Sequence, residues 1–263
     1  MPTVFGATLI PDRSVWGRVE MISVSFVTDG HAAAALLPGT IQVSKDDPVV
    51  TVSRMSYSDV DYLAGGGYQE VTVGISAMLE TDDGRVRGSY MPVVWVDEHI
   101  PIQIGREFLG YAKVPGELAD VRRTADTAHF ELSERGTVLL EGQATGLAPV
   151  PAERLEAMRA AAKETSVLGW KYIPSVDGEP DADYPLQIML EFDWAEVFAG
   201  EGSITFATPA WAEAPVASRI VEALSRLPKR TPGRATVAVG AGAIDRAAAR
   251  RLRTDGSAVR HAR

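Results

Sequence analysis

The chain contains no cysteine. Disulfides, thiolate metal sites and cysteine nucleophiles are therefore excluded, and the composition suits a reducing compartment. Histidine is scarce: His31, His99, His129 and His261 are the four present, and none is spaced as a zinc-ligand pair. No apolar run reaches the ~18–20 residues that a membrane-spanning helix requires. The opening M-P-T-V-F-G-A-T-L-I-P-D-R lacks a basic start and a long apolar segment. No secretory leader is expected, and the expected location is the cytoplasm. No serine stands in a G-x-S-x-G elbow. Gly65-Gly66-Gly67 is not followed by G-K-[ST], so it reads as a flexible loop and not as a phosphate cradle. Val237–Arg246, V-A-V-G-A-G-A-I-D-R, opens like a dinucleotide-binding turn, but Asp245 stands where the third glycine belongs. A strand, a turn and a helix are expected there.

What remains is an ordinary globular composition over 263 residues, 46% hydrophobic and 23% charged. The net charge of −9 is unevenly spread. From Val221 onward there are ten Lys/Arg against three Asp/Glu, so the preceding body is strongly acidic. An acidic body argues against a nucleic-acid partner.

Period-two alternation predicts strands over Trp16–Val27, Val49–Tyr57, Tyr68–Leu79, Val86–Val96, Ala128–Leu132, Thr137–Ala148, Val167–Ile173, Tyr184–Phe198, Ser203–Thr208 and Arg234–Val239. Thr81-Asp82-Asp83-Gly84 predicts a hairpin turn. Helices are expected over His31–Leu37, Pro151–Thr165, Pro215–Leu227 and Asp245–Arg253. About ten strands with few helices predict a mainly β fold with peripheral helices (α+β). The strands form a mostly antiparallel sheet curled into a barrel or cone. No linker divides the chain. One domain over residues 1–253 is expected, followed by a basic tail, 254–263.

The chemistry concentrates in Val94–Leu118. Ile100, Ile104 and Phe108 recur at i, i+4, i+8, marking one helix face, with Asp97 as a candidate cap and Gly110 as a stop. Lys113 follows between Tyr111, Ala112, Val114 and Pro115. A lysine in such company either extends its head to water or is kept dry, and a dried lysine becomes an amine nucleophile. Spacing alone does not choose between the two. Elsewhere, Glu191 and Asp193 share one strand face, which reads as an exposed acidic surface.

Four stretches, met in order, resemble the acetoacetate decarboxylase-like family. Gly105-Arg106-Glu107-Phe108-Leu109-Gly110-Tyr111-Ala112-Lys113 looks like the segment carrying the family's Schiff-base lysine. Tyr68-Gln69-Glu70 looks like its Y-x-E, whose glutamate lines the active site. Lys171-Tyr172-Ile173-Pro174 and Phe26–Pro38 resemble two further shared stretches. The resemblance implies an antiparallel β-cone or barrel in a homo-oligomer, with a small keto-acid substrate and no cofactor. It implies Lys113 as the nucleophile and Glu70 as the group that orients substrate or moves protons. Tyr68 and Tyr111 are the candidate pocket tyrosines, Tyr111 as a hydrogen-bond donor or simply as a packed ring. For the substrate carboxylate it implies an arginine at or next to Arg18, with Arg54 on the next strand as the alternative.

Two departures stand out. The family's paired lysines are here Lys113-Val114, and a second glutamate falls near Ser53. The imine chemistry survives these changes; the reaction it serves is left open. The readings are decarboxylation of a β-keto acid, pyruvate-dependent aldol addition with dehydration, or a non-catalytic binder in which Lys113 reaches the rim.

Overall fold

The fold is described from a computed structural model over residues 10–254. The elements in order are β1 (Arg13–Val27), α1 (Gly30–Ala34), β2 (Gln42–Val43), β3 (Val49–Val60), β4 (Tyr68–Thr81), β5 (Gly84–Val96), α2 (His99–Glu107), β6 (Lys113–Pro115), β7 (Glu117–Leu118), β8 (Arg122–Arg123), β9 (Ala128–Glu134), β10 (Thr137–Pro149), α3 (Ala152–Ala162), β11 (Thr165–Ile173), β12 (Ala182–Phe206), α4 (Ser218–Ser225), β13 (Gly233–Asp245) and β14 (Arg250–Arg251). Seven strands close on themselves in the order β11-β5-β4-β3-β1-β13-β12, with β12 returning to β11. The pairings are antiparallel except β5 with β11 and β5 with β6, which are parallel. This is the expected curled sheet, with one mixed seam. No helix among the described residues is long and apolar enough to cross a membrane.

Alternation sorts the strands into two faces. On β3, Val50 and Val52 point to one apolar cluster, while Met55 and Tyr57 point to another. On β4, Val71, Val73 and Ile75 take the first side; Tyr68 takes the second. The first cluster lies against an outer layer that includes Phe130, Leu132, Leu140, Ile204, Val221 and Leu224. β10 and β9 continue the sheet beyond β12 to form that layer. Glu134 is buried there because its two carboxylate oxygens accept the backbone N–H groups of Val216 and Ala217 at 3.1 and 2.9 Å, ahead of α4. The second cluster surrounds the barrel's interior cavity.

Four expectations need correction. The segments Tyr184–Phe198 and Ser203–Thr208 are one 25-residue strand. β13 does not turn at its glycines but runs on to Asp245. A Cβ on Gly242 would lie 2.9 Å from Phe192 Cδ1 and 3.1 Å from Trp16 Cε3, so this glycine makes room for aromatic rings. The helix expected over Asp245–Arg253 is absent; a capped turn and β14 take its place. Asp97 does not cap α2. Glu98 does, while Asp97 accepts the backbone N–H of Gln69 at 2.8 Å. Gly110 ends the segment as expected, at φ +64. Apart from Thr254, the basic tail lies outside the described residues, as does His261.

Candidate active site

Lys113 opens β6, and its register opposite Val94 of β5 delivers it to the barrel interior. The link that carries it is tightly fixed. Tyr111 N–H bonds Gly105 O at 3.0 Å, Val94 N–H bonds Ala112 O at 3.0 Å, and Arg106 Nη1 donates to Lys113 O at 3.1 Å. The aliphatic stem of Lys113 lies along α2 where Gly105 has no side chain. A Cβ there would fall 2.6 Å from Lys113 Cδ.

The lysine is not at the rim. It is 8% exposed, and Glu70 is 7% exposed. Lys113 Nζ donates to Glu70 Oε2 at 3.0 Å, and Tyr57 OH donates to Glu70 Oε1 at 2.9 Å. The ammonium stands 5.5 Å from the Tyr68 ring centroid and 5.7 Å from that of Tyr111. Burial first, then the charge of Glu70, pushes the Tyr57 hydroxyl well above the ordinary phenol range; the same two causes act on Tyr68 and Tyr111. Tyr57 therefore remains a neutral donor. A buried carboxylate is tolerated here because two donors satisfy it.

The cavity has a volume of about 310 Å³. Thr51, Ser53, Met55 and Tyr57 of β3 reach it, as do Tyr68, Glu70, Thr72 and Gly74 of β4, each set at every second residue. Trp16, Met21, Met91, Leu109, Phe192 and Ile244 add an apolar wall. Trp16 and Tyr57 rings meet at 4.9 Å, and Tyr57 and Tyr68 at 4.5 Å. Ser53 occupies the place where a second glutamate was expected and contributes a hydroxyl.

Lys113, Glu70, Tyr68 and Tyr111 thus come together. Arg18 and Arg54 do not join them. Arg18 lies within a β-bulge between Trp16 and Val19, which turns it outward, where it pairs with Glu20 at 2.8 Å. Arg54 is 3% exposed but shares the face of Val50 and Val52, away from the cavity, and donates to Met55 O. Burial pulls its guanidinium below the ordinary value, against the raising effect of Asp97, Asp120 and Glu20.

Sequence reasoning missed Tyr57, Gly105 and Arg246. Tyr57 was recoverable: antiparallel pairing places it opposite Tyr68, with Met55 opposite Glu70. Arg246 was hidden inside the helix that did not form.

The described residues thus form a closed barrel whose cavity holds a buried lysine–glutamate pair. The family model for acetoacetate decarboxylase matches residues 1–240, and the chain belongs to that family. A curated relative, "Acetoacetate decarboxylase 1" of Mesorhizobium japonicum, is 31% identical over 163 residues, covering 61% of this chain. The match spans only 60% of that relative's length. A solved structure from "Structural Studies of Acetoacetate Decarboxylase" superposes with a TM-score of 0.74, at 17% identity, covering 97% of this chain and 95% of that one. The enduracididine biosynthesis enzyme MppR, complexed with the condensation product of pyruvate and imidazole 4-carboxaldehyde, superposes with a TM-score of 0.69, at 17% identity, covering 96% and 94%. At such identities the superpositions show a shared fold.

Proposed function

We propose that this chain is a Schiff-base-forming lyase acting on a small keto acid, with decarboxylation of a β-keto acid of the acetoacetate type as its reaction. The observation that carries the reading is the buried 3.0 Å contact between Lys113 Nζ and Glu70 Oε2 inside the cavity.

Nucleophilic attack requires the amine form of Lys113. Glu70 is within proton-transfer reach and takes the ammonium proton. The amine nitrogen then bonds to the ketone carbon to give a carbinolamine. Glu70 returns the proton to the hydroxyl oxygen, which leaves as water, and an iminium on Lys113 results. In a β-keto acid, the bond to the carboxylate carbon breaks and its electron pair enters the iminium. CO₂ departs and an enamine remains. Protonation at carbon restores the iminium, and water releases the ketone and free Lys113. Tyr57 holds Glu70 in orientation from its other oxygen.

A second reading uses the same imine. A pyruvate enamine adds to an aldehyde and loses water. The cavity volume supports it. About 310 Å³ corresponds to roughly ten waters at ~30 Å³ each, leaving apolar space beside a three-carbon acid.

Incubation with acetoacetate or with pyruvate, followed by borohydride reduction and peptide mass spectrometry, tests both. An adduct on Lys113 is expected. CO₂ release from acetoacetate selects the first reading; consumption of pyruvate together with an aldehyde selects the second.

A further inference from the structure

We propose that Arg246 is the residue that binds the carboxylate of the substrate. The inference rests on the keto-acid reading above, and it names a group that neither the resemblance nor the comparisons bring to the site.

Among the described residues lining the cavity, the cationic side chains are Lys113 and Arg246. Lys113 is matched by Glu70, so that end of the cavity offers an anion little net attraction. Arg18 and Arg54 are elsewhere, Arg18 bound to Glu20 outside and Arg54 on the opposite sheet face. Arg246 is the cation left for an acidic substrate.

Its local structure suits the task. Arg246 follows directly on Asp245, which stands opposite Arg13 at the end of β13. The turn beyond is fixed, since Asp245 Oδ1 accepts the N–H groups of Ala247 and Ala248 at 2.9 and 3.2 Å. Arg246 N–H also bonds Asp12 O at 2.7 Å. The guanidinium carbon lies 5.2 Å from the Phe108 ring centroid, within cation–π range. Nη2 is occupied, donating to Ile10 O at 3.0 Å and to Asp12 Oδ1 at 2.9 Å. Nε is buried and has no acceptor. The side chain as a whole is 26% exposed, so a carboxylate oxygen can approach the guanidinium and accept a charge-assisted bond from it. Asp12 is 84% exposed along its side chain, so its pairing with Arg246 is well screened and leaves positive character on the guanidinium. Arg246 lines the barrel cavity and also a second pocket beside it with Asp12 and Phe108.

The alternative role for Arg246 is to pin the Ile10–Asp12 segment, and charge selectivity separates the two. The borohydride-trapped adduct on Lys113 is titrated with pyruvate and with its neutral methyl ester, in the wild type and in Arg246→Gln, Arg246→Lys and Asp12→Asn. A charge-assisted hydrogen bond of ~1.5–3 kcal/mol corresponds to about a 10- to 100-fold change. Arg246→Gln should raise the half-saturating concentration of pyruvate by that factor and lower the preference for acid over ester equally. Arg246→Lys should recover part of it, and Asp12→Asn should keep the preference. Equal shifts for acid and ester, no shift for either, or a matching loss in Asp12→Asn would overturn the assignment. If the wild type forms no adduct with either probe, the imine reading falls. Arg246 is then judged by calorimetric pyruvate binding alone, with equal affinity in wild type and Arg246→Gln, or no binding by the wild type, as the refuting result.

Discussion

Gly105→Ala is the sharpest perturbation of the lysine's setting. A Cβ at residue 105 would stand 2.6 Å from Lys113 Cδ, 2.9 Å from Cε and 3.3 Å from Cγ. Carbon atoms pack best at about 3.5–4.0 Å, so the stem is crowded by roughly 1 Å at its nearest atom. The stem has soft torsions and yields cheaply. Alanine in the interior of α2 also improves helix propensity, by up to ~1 kcal/mol. Stability should therefore hold or rise slightly. Function should not hold, because the shifted stem carries Nζ away from Glu70 and from its place between the Tyr68 and Tyr111 rings. A displacement of ~1 Å at a reacting group costs about 100-fold in rate. The assay is the rate of reducible adduct formation on Lys113, read beside the thermal midpoint. An unchanged rate in a folded variant would refute the claim that Gly105 sets the lysine's position. A lowered midpoint would mean instead that the glycine is needed for packing.

Glu70→Gln removes the proton acceptor and leaves the charge of Lys113 buried without a counter-ion; adduct formation should slow by about 100-fold or more, and full activity would remove Glu70 from the mechanism. The buried tyrosines predict an alkaline limit on stability. Burial pushes Tyr62 and Tyr90 from 10.0 up to about 12. Below pH 10 the native and unfolded chains both keep these protons, and stability is insensitive to pH. Between pH 10 and about 12 the unfolded chain releases them while the native chain does not. The unfolded state then binds fewer protons, and stability falls as pH rises, by up to ~1.4 kcal/mol per pH unit for each tyrosine. Urea midpoints measured across pH 8 to 12 check this, and a flat profile above pH 10 would contradict it.

Much of the barrel was legible because alternation and turn chemistry agree over β3, β4 and β5. The pocket faces of Tyr68 and Glu70 follow from the same alternation. Parity also held the correct answer for Arg54, which shares the face of Val50 and Val52. Arg18 was illegible for a physical reason: a bulge after Trp16 resets which residues point inward, and a bulge leaves no periodic signal. The end of the chain misled because Ala247-Ala248-Ala249 favours a helix locally, and because Gly240 and Gly242 resemble a turn. Both glycines are strand residues at sites of close contact; a Cβ on Gly240 would lie 2.1 Å from Asp193 O. That misreading concealed Arg246. The burial of Lys113 was undecidable from spacing, since it depends on α2, β5 and the Tyr111 link closing around one side chain.

The most direct test of the central claim is the mass of the peptide carrying Lys113 after borohydride reduction in the presence of acetoacetate or pyruvate. A reduced adduct on Lys113, and its disappearance in Lys113→Ala, is the expected result. An unmodified Lys113 with both acids, in a folded protein, would contradict it.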